Sequence, residues 1–313
     1  TGIQVDPKMA YSRATAINSR GITAGWTLSS EHIMHEGKRY ALTQAFLYRP
    51  DIGAATLKVM GDGYHRIHVS GLNNEGVLAG YADNVSGERH AYRFQVVGGS
   101  TDLGSIGPLG EVKKINANGT VLAEWGNGPM KIQEYVPPFY ALLILRSGQQ
   151  VQLNKLGLGN TDAVDLNDSD IIVGRVTDED GLTRAFFGDA EGHLNFLPVP
   201  KEYATFRSGA CDLHNAGATL GAVENDPLLM TADDIPTYHA LLQRWQPVIW
   251  GSVEKSAQVI RTDLRGMAVA MNETGSIVVL GFTKPESEET PSTLQVFILK
   301  PEASEPFKAA ADK

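Results

Sequence analysis

The side chains best equipped for chemistry in this sequence keep fixed offsets from a recurring asparagine. Five residues before it stand Arg13, His68, Glu111 and Asp162, followed in later copies by Gly209 and Met267. Two residues before it stand Ala16, Gly71, Lys114, Asp165, Asp212 and Ala270. His68 or Glu111 has the right chemistry for a general base, and Arg13 or Lys114 for stabilising negative charge as it develops. Lys114 with Asp165 and Asp212 would put one cation and two carboxylates on three adjacent strands. Such groups are costly to bury unless paired or hydrated. The trio reads either as a wetted ion-pair cluster or as an acid–base or ligand-anchoring cluster. Trp26 directly follows Gly25, and Trp125, after Glu124, is read as its counterpart in the third copy, with Phe282 in the sixth. Aromatic faces of this kind serve as platforms for sugars and apolar ligands, or as packing caps. With Asp162, the two tryptophans are the expected ligand-binding residues.

The remaining candidates are weaker. His32, His35 and Glu36 could hold a metal only if a helical turn brought the two imidazoles together. His65 and His68 precede the second copy, with His68 facing the mouth. His214 replaces the asparagine and reads as a turn substitute. His239 lies in a long loop with no pattern around it. Cys211, the single cysteine, reads as a small buried residue rather than a nucleophile, and excludes an intramolecular disulfide. Asn167, Asp168, Asp170, Asp178, Glu179 and Asp180 form an acidic stretch without the offsets of an EF-hand loop. Asp226, Asp233 and Asp234 are similar. No metal or cofactor is expected beyond a weak surface calcium site. No nucleophile elbow, P-loop or dinucleotide fingerprint occurs.

The elements that must position these groups follow from the repeat itself. The phrase is a pair of small or polar residues, an aliphatic, Asn, two polar residues, Gly, then a short apolar strand. It occurs at Asn18, Asn73, Asn116, Asn167, His214 and Asn272. Asn starts a tight turn through its own side chain, and Gly three residues later takes the positive φ that ends it. Each phrase is therefore a hairpin. A third strand follows at 44–48, 90–94, 140–143, 184–187, 247–250 and 295–299, and a fourth at 56–59, 100–104, 150–153, 194–197 and 259–261. Glycine, 33 residues of the 313, exceeds the usual share of about 7 % and is spread evenly, as turn-rich β structure requires. Four antiparallel strands in about 50 residues make a propeller blade. The expectation is an all-β, six-bladed β-propeller in one domain, with blades at 12–60, 64–107, 109–157, 160–200, 206–264 and 266–300 and a polar tail at 301–313. The sixth blade lacks a fourth strand, and residues 2–6 are the candidate to supply it, removing an exposed edge. Loops 26–43 and 222–244 are long, 124–139 intermediate, 81–89 and 175–183 short; the mouth they surround is the expected site.

The Asn-x-x-Gly hairpins, His90-Ala91-Tyr92 and Thr101-Asp102-Leu103-Gly104 resemble the bacterial extracellular HAF repeats, named for a His-Ala-Phe strand. The likeness is strongest in the second copy; Gln44, Tyr140, Arg184 and Gln295 stand where His90 does. The resemblance implies export to the periplasm or beyond and a propeller-like fold, and it implies no catalytic residues. A net charge of −9 without Lys/Arg clusters argues against nucleic-acid partners, and no apolar run is long enough for a membrane helix. The expected function is a recognition module taking a glycan, peptide or partner protein at the mouth. The alternative is a hydrolase or lyase acting there on a carbohydrate or small ester or lactone, and a third reading is a scaffold working through its rim.

Overall fold

The structure is a computed structural model that describes residues 9–57, 64–95, 99–126, 139–153, 161–178, 180–225, 244–283 and 293–300. The chain forms two compact units, residues 1–155 and 156–313. Residues 2–6 and 301–313, most of loops 124–139 and 222–244, and His239, Asp226, Asp233, Asp234 and Glu179 lie outside the described residues.

The first unit holds three four-stranded antiparallel sheets with sequential strand order. Strands β1 (Met9–Ile17), β2 (Thr23–His35), β3 (Lys38–Arg49) and β4 (Gly53–Leu57) form the first. The second has β5 (Tyr64–Leu72), β6 (Leu78–Asn84), β7 (Arg89–Gln95) and β8 (Gly99–Ser105). The third has β9 (Glu111–Ile115), β10 (Val121–Gly126), β11 (Phe139–Ile144) and β12 (Gln150–Gln152). Neighbouring sheets pack face to face. Ala24, Ala45 and Leu47 meet Ile67, Val69 and Phe94; Ala79, Ala91 and Leu103 meet Val112, Val121 and Leu142.

The second unit repeats the plan. Its sheets are β13 (Thr161–Leu166) to β16 (Leu194–Phe196), then β17 (Ser208–Leu213) to β20 (Gln258–Val259), then the three strands β21 (Leu264–Met271), β22 (Ile277–Thr283) and β23 (Gln295–Leu299). Val173, Ala210, Val223 and Trp250 fill one interface, and Leu220, Ile249, Leu264 and Val279 the other.

The asparagine turns form as the sequence predicts. The Asn18 Oδ1 accepts the amides of Arg20 and Ile22, both at 3.0 Å, and Asn73 does the same with Glu75 and Val77. The closing residue takes a left-handed φ, +71° at Gly21 and +84° at Gly76, and Asp170 does so at +58° where the fourth copy has no glycine. The His214 Nδ1 accepts the Ala216 amide at 3.1 Å, so the imidazole replaces the asparagine oxygen in kind.

Segment 26–43 departs from the expected long loop. Strands β2 and β3 continue as a ribbon to a Glu36-Gly37 turn with φ of +49° and +74°, the positive pair of a two-residue hairpin. On a strand, His32 and His35 point to opposite faces, so they do not converge on a metal. The His32 Nδ1 sits 3.0 Å from Arg39 Nη2 instead.

One feature of every sheet escaped the sequence. The first strand carries a bulge three residues before the turn asparagine, leaving Thr15, Ser70, Lys113, Val164, Cys211 and Val269 outside the pairing register. A bulge re-aims the residues beside it, here those two residues before the asparagine.

Candidate functional site

Pairing sets which side chains meet across the hairpins. Arg13 lies opposite Trp26, His68 opposite Tyr81 and Glu111 opposite Glu124. In the second unit Asp162 lies opposite Arg175. Trp125 is therefore not the counterpart of Trp26, because Glu124 is. One residue further on, Trp125 turns to the other face, packs against the core and stacks on Tyr140 at 6.0 Å. Phe282 is likewise core, 1 % exposed.

In the first unit these pairs build a continuous aromatic ladder across two sheets. Tyr11 and Trp26 have centroids 5.6 Å apart, Trp26 and His68 5.9 Å, and His68 lies parallel on Tyr81 at 5.0 Å and 12°. The Arg89 guanidinium caps the far end, 4.2 Å from the Tyr81 centroid, within the range of a cation–π contact. Arg89 is held as a fork on Asp83, at 2.6 and 3.1 Å, and donates to the Gly110 carbonyl at 2.9 Å. The ladder opens to solvent at Tyr11, 53 % exposed, and is closed at Tyr81, 8 % exposed. Between them the Trp26 Nε1 hydrogen is buried and has no acceptor among the described residues. Tyr81 and Arg89 were not singled out from the sequence. Tyr81 follows Asn73 by eight residues, as Trp26 follows Asn18, and that offset was the available signal.

Electrostatics keep the middle of the ladder neutral. Burial lowers the His68 pKa from 6.5; Glu111 opposes the shift, while Arg13, Arg66 and Arg89 reinforce it. Burial raises the Tyr81 hydroxyl, with Arg89 opposing. His68 is thus an uncharged ring at neutral pH, able to stack, to accept a hydrogen bond or to take up a proton. Beside it Lys113, the bulge residue, bridges Glu111 at 3.4 Å and Glu124 at 3.1 Å.

The other expected residues have structural partners. Asp165, 4 % exposed, accepts the Leu166 amide on one oxygen and the Leu213 amide on the other, each at 2.8 Å. Asp212 accepts the Met271 amide at 2.7 Å. Each carboxylate thus ties its sheet to the first strand of the next. In the first unit Gly71 occupies the same position, and a Cβ there would lie 3.0 Å from the Ile115 amide. Lys114 pairs with Leu122 across the β9–β10 hairpin. Asp162 is bonded to Arg175 at 2.8 Å and the pair is partly exposed. Burial pushes the Cys211 thiol up to about 11, with Arg175 opposing and Asp212 and Asp162 adding to the rise. That leaves little thiolate for nucleophilic work at neutral pH.

Asp189, Glu191 and His193 are a group among the described residues whose ligand atoms lie close enough for a metal, within 4.8 Å of one another. The Asp189 side chain there already accepts the amides of Glu191 and His193 and faces His193 Nδ1 at 2.9 Å.

No protein-family model matches the chain, and no curated protein matches it. Solved structures do. The chain is similar to the β-propeller domain of the trilobed protease from Pyrococcus furiosus, described as having an open velcro topology, with a TM-score of 0.52 and 10 % identity over 93 % of this chain and 83 % of that one. It also aligns with puromycin hydrolase, with a TM-score of 0.44 and 10 % identity over 89 % of this chain, and with TolB from Acinetobacter baumannii, with a TM-score of 0.36 and 12 % identity over 82 %. The chain spans 45 % of the hydrolase and 57 % of TolB. The first likeness, with the repeated four-stranded antiparallel sheets, identifies a β-propeller scaffold.

Proposed function

We propose that this chain is an exported binding module of six blades whose ligand, a glycan, peptide or partner protein, docks where Tyr11, Trp26, His68 and Tyr81 stack. The ladder carries this reading, because an aromatic run open at one end and holding a buried, unpartnered indole N–H suits a ligand with an apolar face and an acceptor. The HAF resemblance supports export. A panel of glycans and peptides titrated against Trp fluorescence tests it: saturable binding lost in Trp26→Ala supports the ladder, and binding that survives in that variant removes it. Closure of the ring by residues 2–6 on β23 belongs to the same reading. Deleting residues 1–8 lowers the melting temperature if they close it and leaves it unchanged if, as in the archaeal protease propeller, the velcro is open.

One observation favours a second reading as a hydrolase or lyase. His68 is kept neutral next to Glu111 and Arg13, the state a general base requires. Turnover of a lactone or ester panel that is lost in His68→Gln while ligand binding persists would favour catalysis.

A further inference from the structure

The opposite end of the first unit, where the asparagine turns lie, has its own chemistry. A cleft of about 270 Å³ opens between the second and third sheets, lined among others by Arg93, Arg146, Thr101, Asn118 and Glu75. We propose that this cleft binds an oxyanion, a carboxylate or phosphate group, between Arg93 and Arg146.

Arg93, on β7, is half-buried and fixed. Its Nη1 donates to the Gly119 carbonyl at 3.2 Å and its Nη2 to the Arg146 carbonyl at 3.0 Å. A guanidinium has five N–H donors, so these bonds leave three. The stem of Arg146 lies beside it: a Cβ on Gly119 would lie 3.6 Å from Arg93 Nη1 and 3.9 Å from Arg146 Cγ. Burial first, and then the Arg146 charge, lower the Arg93 pKa. Three other half-buried arginines carry a carboxylate: Arg89 has Asp83 at 2.6 Å, Arg184 has Asp178 at 2.6 Å and Arg244 has Glu224 at 2.8 Å; Arg265 instead donates to the Gln246 side chain and to the Thr262 and Leu264 carbonyls. Neither Arg93 nor Arg146 has a carboxylate within 4.0 Å among the described residues, Glu75 included. A fixed guanidinium with three spare donors, a second arginine beside it and no carboxylate on either among the described residues suit the fork geometry of carboxylate and phosphate.

The size fits one anionic group, since cavities for whole drug-sized ligands start at about 300 Å³. The rest of a longer ligand has a path. A second cleft of about 620 Å³, between the first and second sheets, shares Glu75, Val77 and Gln95 with the first and adds Arg20 and the Arg49–Asp51 pair. In a chain of net charge −9, a local excess of arginine is a specific attractor for anions. The site lies away from the aromatic ladder, so either can fail without the other.

Calorimetric titration of the full chain at low ionic strength, with inorganic phosphate and separately with succinate, tests the assignment. One-site binding of at least one probe is expected, weakened about tenfold or more in Arg146→Gln. It should strengthen in Glu75→Gln, which removes the opposing charge, and stay unchanged in Lys201→Gln in the other unit. Phosphate without succinate identifies a phosphoryl ligand; the converse identifies a carboxylate. No saturable binding of either probe, or equal weakening in Lys201→Gln and Arg146→Gln, overturns the proposal. Arg146 is exposed, so its variant folds even where Arg93→Gln does not.

Discussion

Asp165 separates a structural reading of the inner strands from a chemical one. The carboxylate is buried and gives one oxygen to the Leu166 amide and the other to the Leu213 amide, at 2.8 Å each. Both residues are themselves buried. Asp165→Ala leaves two buried N–H groups without that acceptor, and each costs about 1–3 kcal/mol, so a loss of about 2–6 kcal/mol is expected. Asp165→Asn keeps the shape and one acceptor oxygen but turns an NH2 toward the second amide. Its loss should be smaller, about 1–3 kcal/mol. Urea unfolding followed by circular dichroism gives both values, and hydrogen exchange at the Leu213 amide, which crosses between sheets, should accelerate in each variant. If Asp165→Ala lies within about 0.5 kcal/mol of the parent, the usual range for surface substitutions, the tie is not what holds these sheets together. If Asp165→Asn folds with parental stability and loses ligand binding or turnover, the residue belongs to a site instead.

Other outcomes follow from the same geometry. Gly80→Ala would place a Cβ 2.0 Å from the His68 carbonyl oxygen, so the first and second strands must part; thermal unfolding should show a loss of roughly 2–4 kcal/mol, on the scale of a severe backbone clash. His68 should titrate below 6.5 by NMR, lower still in Glu111→Gln and higher in Arg13→Gln. Because its folded pKa is depressed, its share of stability is complete above the unfolded value of 6.5 and is lost as pH falls through the folded value. Cys211 should resist iodoacetamide at pH 8, with a rate that climbs toward a midpoint near its pKa of about 11; rapid alkylation at neutral pH would contradict the burial of the thiol.

What the sequence made legible was local. Asn-x-x-Gly specifies its own turn through side-chain and backbone hydrogen bonds within five residues, so all six hairpins could be placed, as could the strands that follow. The bulge was invisible, since it is defined by a count across two strands and the residues that occupy it, Thr15, Ser70, Lys113, Val164, Cys211 and Val269, share no chemistry. The Trp125 position was legible, because it lies nine residues after its asparagine where Trp26 lies eight after its own, and one residue along a strand exchanges one face of the sheet for the other. What Asp165 and Asp212 bind was, like the bulge, hidden: beside it, each accepts an amide from the first strand of the next sheet. The ribbon at 26–43 was legible but overlooked, because its Glu-Gly turn is a weaker hairpin signal than Asn-Gly.

The same count explains why chemistry gathers at one position of the repeat. Seven residues after the turn asparagine, Gly25, Gly80, Gly174 and Gly221 press against the carbonyls of Arg13, His68, Asp162 and Gly209, with room for no Cβ: the distances would be 2.0 to 2.1 Å. The turn residues are committed to closing the hairpin, and the position after the bulge faces the next sheet. The cross-strand pair beside the glycine contact is the place left free of these duties. There the first unit carries Arg13 with Trp26, His68 with Tyr81 and Glu111 with Glu124, and the second carries Asp162 with Arg175 and then the apolar pair Met267 with Leu280. A slot that the architecture does not use can vary without cost to the hairpin. Its aromatic and titratable groups in the first unit can therefore be exchanged with the hairpin left intact, which makes this slot the place to test the proposed site by substitution.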